Sequence, residues 1–346
     1  MIAFHQAMQR LLLFGKHLHL PARPPAPHPP AQLLPLIQSL ASAHARFDAT
    51  AIHYGHRYRS GFWAIYLLSA FAVVCAVLPL ALGWDASSHP LHPYSGIWAV
   101  CELGIIGIVS AIYWRGIRAD WQGQWLRART IAELTAYLPL LAPLLDFEHP
   151  QTEPNWYLQV LDPGQHLRGA DEVAALCEQH VEQARALVAN AWGDAEFKRA
   201  YARWTIDILE GQRHYHLSIA IRQHALLHRV HSLNSWLFGL TALGATIHLM
   251  LHTMWLSLMT TFFPALGASL HGALAQSEAY RLGATSERLV VDLQGAIDRI
   301  EAAATHSGSP VDRAALKASI EAALALILEE HQDWHMLVRP HKLPLA

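Results

Sequence analysis

The sequence predicts an all-α, polytopic helical membrane protein with four transmembrane helices and a helical cytosolic region. Three observations lead there. The chain's 346 residues are 53% hydrophobic and only 15% Asp, Glu, Lys and Arg, where a soluble domain carries about 25% charged residues. The deficit is concentrated, because positions 60–84 and 230–277 contain no Asp, Glu, Lys or Arg. No stretch alternates apolar and polar residues with the period of two that a half-buried strand requires.

Each crossing can be placed in turn. A helix rises about 1.5 Å per residue, so a hydrocarbon core of about 30 Å needs about 20 residues. The first charge-free stretch therefore holds one span, at 62–83, and the second holds a hairpin, at 234–251 and 255–274. The apolar run 97–114 supplies the span that is second in chain order, although it contains Glu102. Basic residues require it. Arg57 and Arg59 precede the first span, Arg115 and Arg118 follow the second, Arg222 and Arg229 precede the third, and Arg281 and Arg288 follow the fourth. The connections Trp84 to Ser95 and His252 to Met254 contain no Lys or Arg. Short basic flanks stay in the cytosol, so both termini are expected on the cytosolic side of a cell inner membrane. Tryptophan rings prefer the headgroup layer. Trp63, Trp114 and Trp236 fall at the inner ends of these spans, and Trp84, Trp98 and Trp255 at the outer ends, as interfacial anchors.

The remaining segments divide around the spans. Residues 1–35 read as a flexible tail, since Pro21, Pro24, Pro25, Pro27, Pro29, Pro30 and Pro35 remove backbone donors and fix φ. Leu11 to Phe14 is too short an apolar run for a secretory signal. Residues 36–60 form a cytosolic helix leading into the first hairpin, 61–116. Residues 117–233 are a cytosolic helical region. In it Trp121, Trp125, Ile131, Leu134 and Leu138 recur at helical spacing, as do Ala174, Cys177, Val181 and Ala184. The stretch from Asp194 to Arg229 lacks a stop signal and is expected to run into the second hairpin, 234–275, as one long helix. Residues 276–346 continue as cytosolic helices, with Ser309 and Pro310 as a helix start and Ile320, Leu324 and Ile327 as an apolar stripe. An echo links the halves: His56, Arg57 and Arg59 precede Phe62 and Trp63, while His228, Arg229 and His231 precede Trp236 and Phe238. Duplication of a two-span unit and the ordinary basic and aromatic flanks of inner-leaflet helices both account for it.

Polar chemistry inside the spans is sparse. Glu102 lies in the outer half of its span, where ionisation is costly, and His248 and His252 near the outer end of the third span are its candidate partners in a polar intramembrane site or ion path. Snorkelling of Glu102 to the interface beside Trp98 is the alternative. Gly239 and Gly244 in the third span, and Pro264, Gly267 and Gly272 in the fourth, mark small-residue faces that suit tight helix packing or a pore lining. The 24 histidines include pairs one turn apart, His224 with His228 and His228 with His231. They lack accompanying carboxylates or cysteines, so neither a metal site nor another cofactor is expected. Phosphate-binding loops, dinucleotide fingerprints and nucleophile elbows are missing, which argues against the commonest ATP- and NAD-dependent enzymes.

The motifs at Tyr54 to Phe62 (YGHRYRSGF), Phe263 to Gly272 (FPALGASLHG) and Glu329 to His335 (EEHQDWH), with the Arg- and Trp-bearing helix after Trp114, resemble the SLATT family of bacterial membrane proteins. The likeness covers 44–140 and 204–338. It implies a membrane effector or pore that works with a nucleotide-sensing partner in a defence or conflict system. That family's basic unit has two spans where this chain has four, and no functional residue carries over. The expected partners are the lipid bilayer, further copies of the chain in a homo-oligomer and a cytosolic sensor protein, with no nucleic acid. A cation or proton transporter and a membrane-anchored scaffold are the other two readings.

Overall fold

The computed structural model describes residues 3–144, 170–251, 253–305 and 313–338, among which every regular element is helical and no strand occurs. Helix α1 covers Phe4–Leu12, α2 Leu34–Ala81, α3 Gly96–Arg118, α4 Trp121–Leu141 and α5 Ala170–Ala191. Helix α6 covers Ala195–Leu251, α7 Leu256–Gln276, α8 Ala279–Thr305 and α9 Arg313–Val338. The start proposed at Ser309 and Pro310 lies outside the described residues, as does His252.

Two very long helices organise the molecule. Helix α2 has 48 residues, which at 1.5 Å each makes it about 72 Å long. Helix α6 has 57 residues, about 85 Å by the same rise. Each runs without interruption from a polar half into an apolar half. Pro35 sits in the first turn of α2, where a missing N–H costs nothing. Gly83 ends α2 at φ +69°, with the Gly83 and Trp84 amides donating to the carbonyls of Leu80 and Pro79, a left-handed stop that favours glycine.

The chain then folds back on each long helix twice. Helix α3 packs along the apolar half of α2, and α4 along its polar half; α7 and α8 do the same for α6. The two returning helices meet at a sharp corner in each case, at Asp120 and at Glu278. These are the two non-glycine residues with positive φ among those described, at 43° and 52°. The Asp120 carboxylate accepts the Gly123 amide at 3.3 Å, capping the first turn of α4. Beyond each corner an Arg and an acid stand four residues apart, Arg129 with Glu133 and Arg288 with Asp292. The long helices match too, at His56-Arg57-x-Arg59-Ser60 and His228-Arg229-x-His231-Ser232. Helix order, corner geometry and local sequence thus repeat together, with both units in the same orientation. The continuation expected from 255–274 into the polar segment is present, but broken at Glu278 into α7 and α8.

Two apolar cores form. One, at the polar end, gathers Leu36 and Leu40 of α2, Leu134 and Leu141 of α4, Phe197 and Tyr201 of α6, Leu293 and Ile300 of α8, and Ile320, Leu324 and Ile327 of α9. Burying each such aliphatic side chain stabilises the fold by roughly 1.5–3 kcal/mol. The other, at mid-length, gathers Tyr58, Phe62, Trp63 and Ile65 with Trp121, Trp125, Val230, Leu270 and Leu274.

Among the described residues three stretches are long and apolar enough to cross a membrane: Ala31–Ala81, His92–Arg118 and Leu256–Ala304. The apolar half of α6 is not among them. Asn234 and His248 lower its hydropathy at either end. It is nonetheless open on its flank, with Trp236, Phe238, Leu249 and Met250 exposed at 71%, 76%, 75% and 76%. The N-terminal segment carries a helix where the sequence suggests only a tail. Arg229 Nε and Nη2 donate to the carbonyls of Leu12 and Phe14, and a ring nitrogen of His214 meets the carbonyl of Pro21 at 2.9 Å.

Candidate functional site

The apolar helices form an open row. Helix α3 rests on α2, α2 on α7, and α7 on the outer half of α6. Glu102 on α3 and His248 on α6 therefore stand on the two end helices of the row, and the packing does not bring them together. Glu102 is partly exposed. The ring of His248 meets the carbonyl of Thr253 at 3.0 Å, closing the α6–α7 turn.

Of the small residues, three mediate packing. A Cβ on Gly244 would stand 3.4 Å from Met259 Cβ, and one on Gly267 3.3 Å from Asn234 Oδ1, so both hold α6 against α7. Gly272 lies beneath the ring of Tyr66, 2.5 Å from Cε1 for a Cβ built there, and sets the approach of α7 to α2. Gly239 has no neighbour within 4 Å, and Pro264 is exposed. Among the tryptophans, Trp114, Trp236 and Trp255 are exposed at 57%, 71% and 53%. Trp84 and Trp98 pair at 6.1 Å between ring centres. Trp63 is different: only 1% exposed in the mid-length core beside Phe62, it is a packing residue and cannot present its ring to a headgroup layer. Position at the end of an apolar run does not determine which face a residue occupies.

Sequence reasoning missed the feature at the centre of the molecule. In their polar halves, up to the start of the charge-free segment of α2, α2 and α6 are held apart, and the space between them is a cavity of about 750 Å³. Helix α2 lines it with His44, Asp48, His56 and Arg59, α4 with Trp125, Arg129, Glu133 and Tyr137, and α6 with Gln212, Tyr215 and His216. Gln6 of α1 reaches its wall, and Leu282 and Ile327 of α8 and α9 complete it.

The site is built around one indole. Trp125 stacks on Tyr58 at 5.7 Å and 28° between planes, and the guanidinium carbon of Arg59 lies 4.7 Å from the centre of the Trp125 ring, within cation–π range. Gly55 makes room: a Cβ there would come within 2.8 Å of Trp125 Nε1. The Tyr58 hydroxyl accepts from Gln276 Nε2 at 3.0 Å, tying the end of α7 to α2. Burial pushes this phenol up to about 12. Farther along, Arg129 pairs with Asp48 at 3.6 Å and with Glu133. Burial pulls Arg129 down, but Glu133, Tyr215 and Asp48 outweigh it and hold it above the usual range.

Two histidines are buried here without charge. His5 of α1 meets the Ser60 hydroxyl at 3.2 Å and the ring of His56 at 5.3 Å. Burial, then the charges of Arg59 and His56, lower it to about 4. His216 meets the Ser286 hydroxyl at 3.3 Å, linking α6 to α8, and burial lowers it to about 4 against the pull of Glu133. Of the histidines of α6, His224 pairs with Glu287 at 3.1 Å, and His214 holds the N-terminal strap. Among the described residues no group of three or more His, Cys, Asp or Glu converges as a metal site would require.

No protein-family model matches the chain, and neither curated proteins nor solved structures yield a match. The geometry therefore stands as the basis for function.

Proposed function

We propose that the chain crosses a bacterial inner membrane four times, with both termini cytosolic, and acts as a membrane effector: a homo-oligomer whose spans surround a conducting path. The fourth crossing is α6. Its outer half lies against α7 and joins it through a turn of a few residues, so a bilayer that contains α7 contains α6. Large apolar side chains exposed along one helix flank suit lipid or another subunit, since soluble surfaces rarely expose contiguous apolar patches of this size.

The observation that carries the oligomeric reading is the open row. One chain's row encloses no path, yet both of its end helices leave apolar faces without a neighbour. Gly104 and Gly107 on α3, like Gly239 on α6, have nothing within 4 Å. Small residues on a lipid-exposed flank let a second helix approach closely, and α3 of one copy against α6 of the next would close a ring. The long helices then transmit the state of the cytosolic assembly to the spans, since α2 and α6 run unbroken through both. Within one chain the Glu102 and His248 of the cation-transporter reading stand on the two end helices of the row, and His252 lies outside the described residues.

The test is ion flux from liposomes holding the purified protein. Release of a trapped cation or anionic dye in proportion to protein supports the effector reading. Liposomes that stay sealed, with the protein inserted in the expected orientation, overturn it and leave a membrane-anchored scaffold.

A further inference from the structure

We infer that the cavity between α2, α4 and α6 binds the phosphoryl group of an anionic ligand, with Arg59 as the residue that holds it. Among the described residues no ion pair includes Arg59. The two acids of the lining, Asp48 and Glu133, are both engaged by Arg129. Arg59 is only partly exposed, and a partly shielded cation without a counter-ion is an arrangement that suits a ligand supplying the missing charge. Burial pulls Arg59 below its ordinary range; Tyr215 and Tyr58 oppose that, and the charge of Arg129 adds to it. An anion beside the Arg59 guanidinium supplies the counter-charge that Asp48 and Glu133 give Arg129.

The geometry suits this chemistry. The Arg59 guanidinium carbon lies 4.7 Å from the centre of the Trp125 ring, and the group carries five N–H donors in a fork that suits phosphate and carboxylate oxygens. The Gln6 amide, the His56 imidazole and the Tyr215 hydroxyl line the same cavity. A tetrahedral phosphoryl group has more acceptor oxygens for such a set of donors than a planar carboxylate. The cavity is also polarised along its length. Asp48 precedes Arg59 by eleven residues of α2, about 16 Å of helix, so the acids sit at the end away from the spans and the open guanidinium sits where the charge-free segment begins. Between them Ile52, Ile208 and Ile219 provide apolar walls for the body of the ligand. A volume of about 750 Å³ falls within the range of small-molecule sites.

The phosphoryl group has two candidate sources, the headgroup of an anionic phospholipid and a soluble phosphate-bearing metabolite. The inference rests on the membrane reading for the lipid source only; the soluble source needs nothing beyond the cavity. The full chain is purified in detergent and in nanodiscs of pure phosphatidylcholine, and thermal unfolding is followed as inorganic pyrophosphate is added. Native mass spectrometry reads retention of phosphatidylglycerol in parallel. One or both anions should bind the wild type. Arg59→Gln should weaken that binding by about tenfold or more, as expected for loss of a charge-assisted hydrogen-bonded contact. Arg59→Lys, which keeps the charge and loses the fork, should fall between, and Arg57→Gln, an exposed cation two residues away, should match the wild type. Pyrophosphate binding in the neutral bilayer identifies a soluble source; phosphatidylglycerol retention without it identifies a lipid. Failure of both anions to bind the wild type overturns the inference, as does an equal loss in Arg57→Gln, which would mean diffuse surface charge. Circular dichroism and anion-free melting establish which variants fold, and Arg59→Lys carries the comparison if the glutamine variant does not. Bound anion with sealed liposomes would reject the pore and keep the site; leaking liposomes with no bound anion would do the reverse.

Discussion

Gly55 decides how closely α2 and α4 approach, because the space its missing side chain leaves is filled by the indole of Trp125. Gly55→Ala must displace either the ring from its stack with Tyr58 or the whole of α4, and overpacking of this kind costs about 1–3 kcal/mol. Urea unfolding in detergent, followed by far-UV circular dichroism, should show that loss. An unchanged midpoint would mean that Trp125 has somewhere else to go. A second residue-scale prediction concerns pH. His5 and His216 are held at about 4 in the folded chain, while an unfolded imidazole titrates near 6.5. Between those values the unfolded chain takes up protons that the native one refuses. Stability is therefore full above about 6.5 and is lost as pH falls toward 4, by up to ~3 kcal/mol for each histidine. The melting temperature should drop between pH 7 and pH 5, and His5→Phe should flatten part of the drop. A profile identical in that variant would remove His5 from the explanation. The groups facing His5 are Arg59, His56 and Ser60, so the protonated ring meets a cation, a second imidazole and a hydroxyl.

Helices were the most legible scale. The charge-free stretches, the long run from Asp194 into the apolar segment, and the stripe of Ile320, Leu324 and Ile327 all follow from periodicity and charge, which are properties of neighbouring residues. The corners at Asp120 and Glu278 were not legible. Neither residue type announces a left-handed backbone as glycine does, and the second corner was read as continuous helix. The cavity was hidden for a related reason. Arg59 and Trp125 belong to different helices, and their meeting depends on the register of α2 against α4, which the spacing of Trp121 and Trp125 along one helix does not specify. Trp63 failed in the opposite direction, since its place at the inner end of a span suggests an interface while its face of α2 points into the core. The corner residue gives an element-scale prediction. Asp120→Ala loses the cap on Gly123 and keeps the strained φ, and should destabilise the chain by about 1–2 kcal/mol. Asp120→Asn, which caps as well and tolerates the left-handed region, should be nearly silent in the same unfolding assay. Equal losses in both would show that the carboxylate charge, rather than the cap, is what matters.

At the scale of the whole molecule, two copies of a long helix with two returning partners build one polar assembly at one end and an open row of apolar helices at the other. Their shared cavity lies in the polar halves and reaches the start of the charge-free segment of α2 at Arg59, and each long helix is continuous through it. A ligand that changes the spacing of α2 and α6 there would move the apolar halves as rigid rods. Anion binding at Arg59 should therefore alter ion flux as well as thermal stability, and Arg59→Gln should uncouple the two. The open row is the part of the structure that a single chain leaves unfinished. Native mass spectrometry of the wild type in nanodiscs reports the number of chains per particle. A closed ring of several copies is the expected result. A monomer that remains a monomer across lipid compositions would contradict the effector reading, and would turn attention to the polar helices as a docking surface for a cytosolic protein.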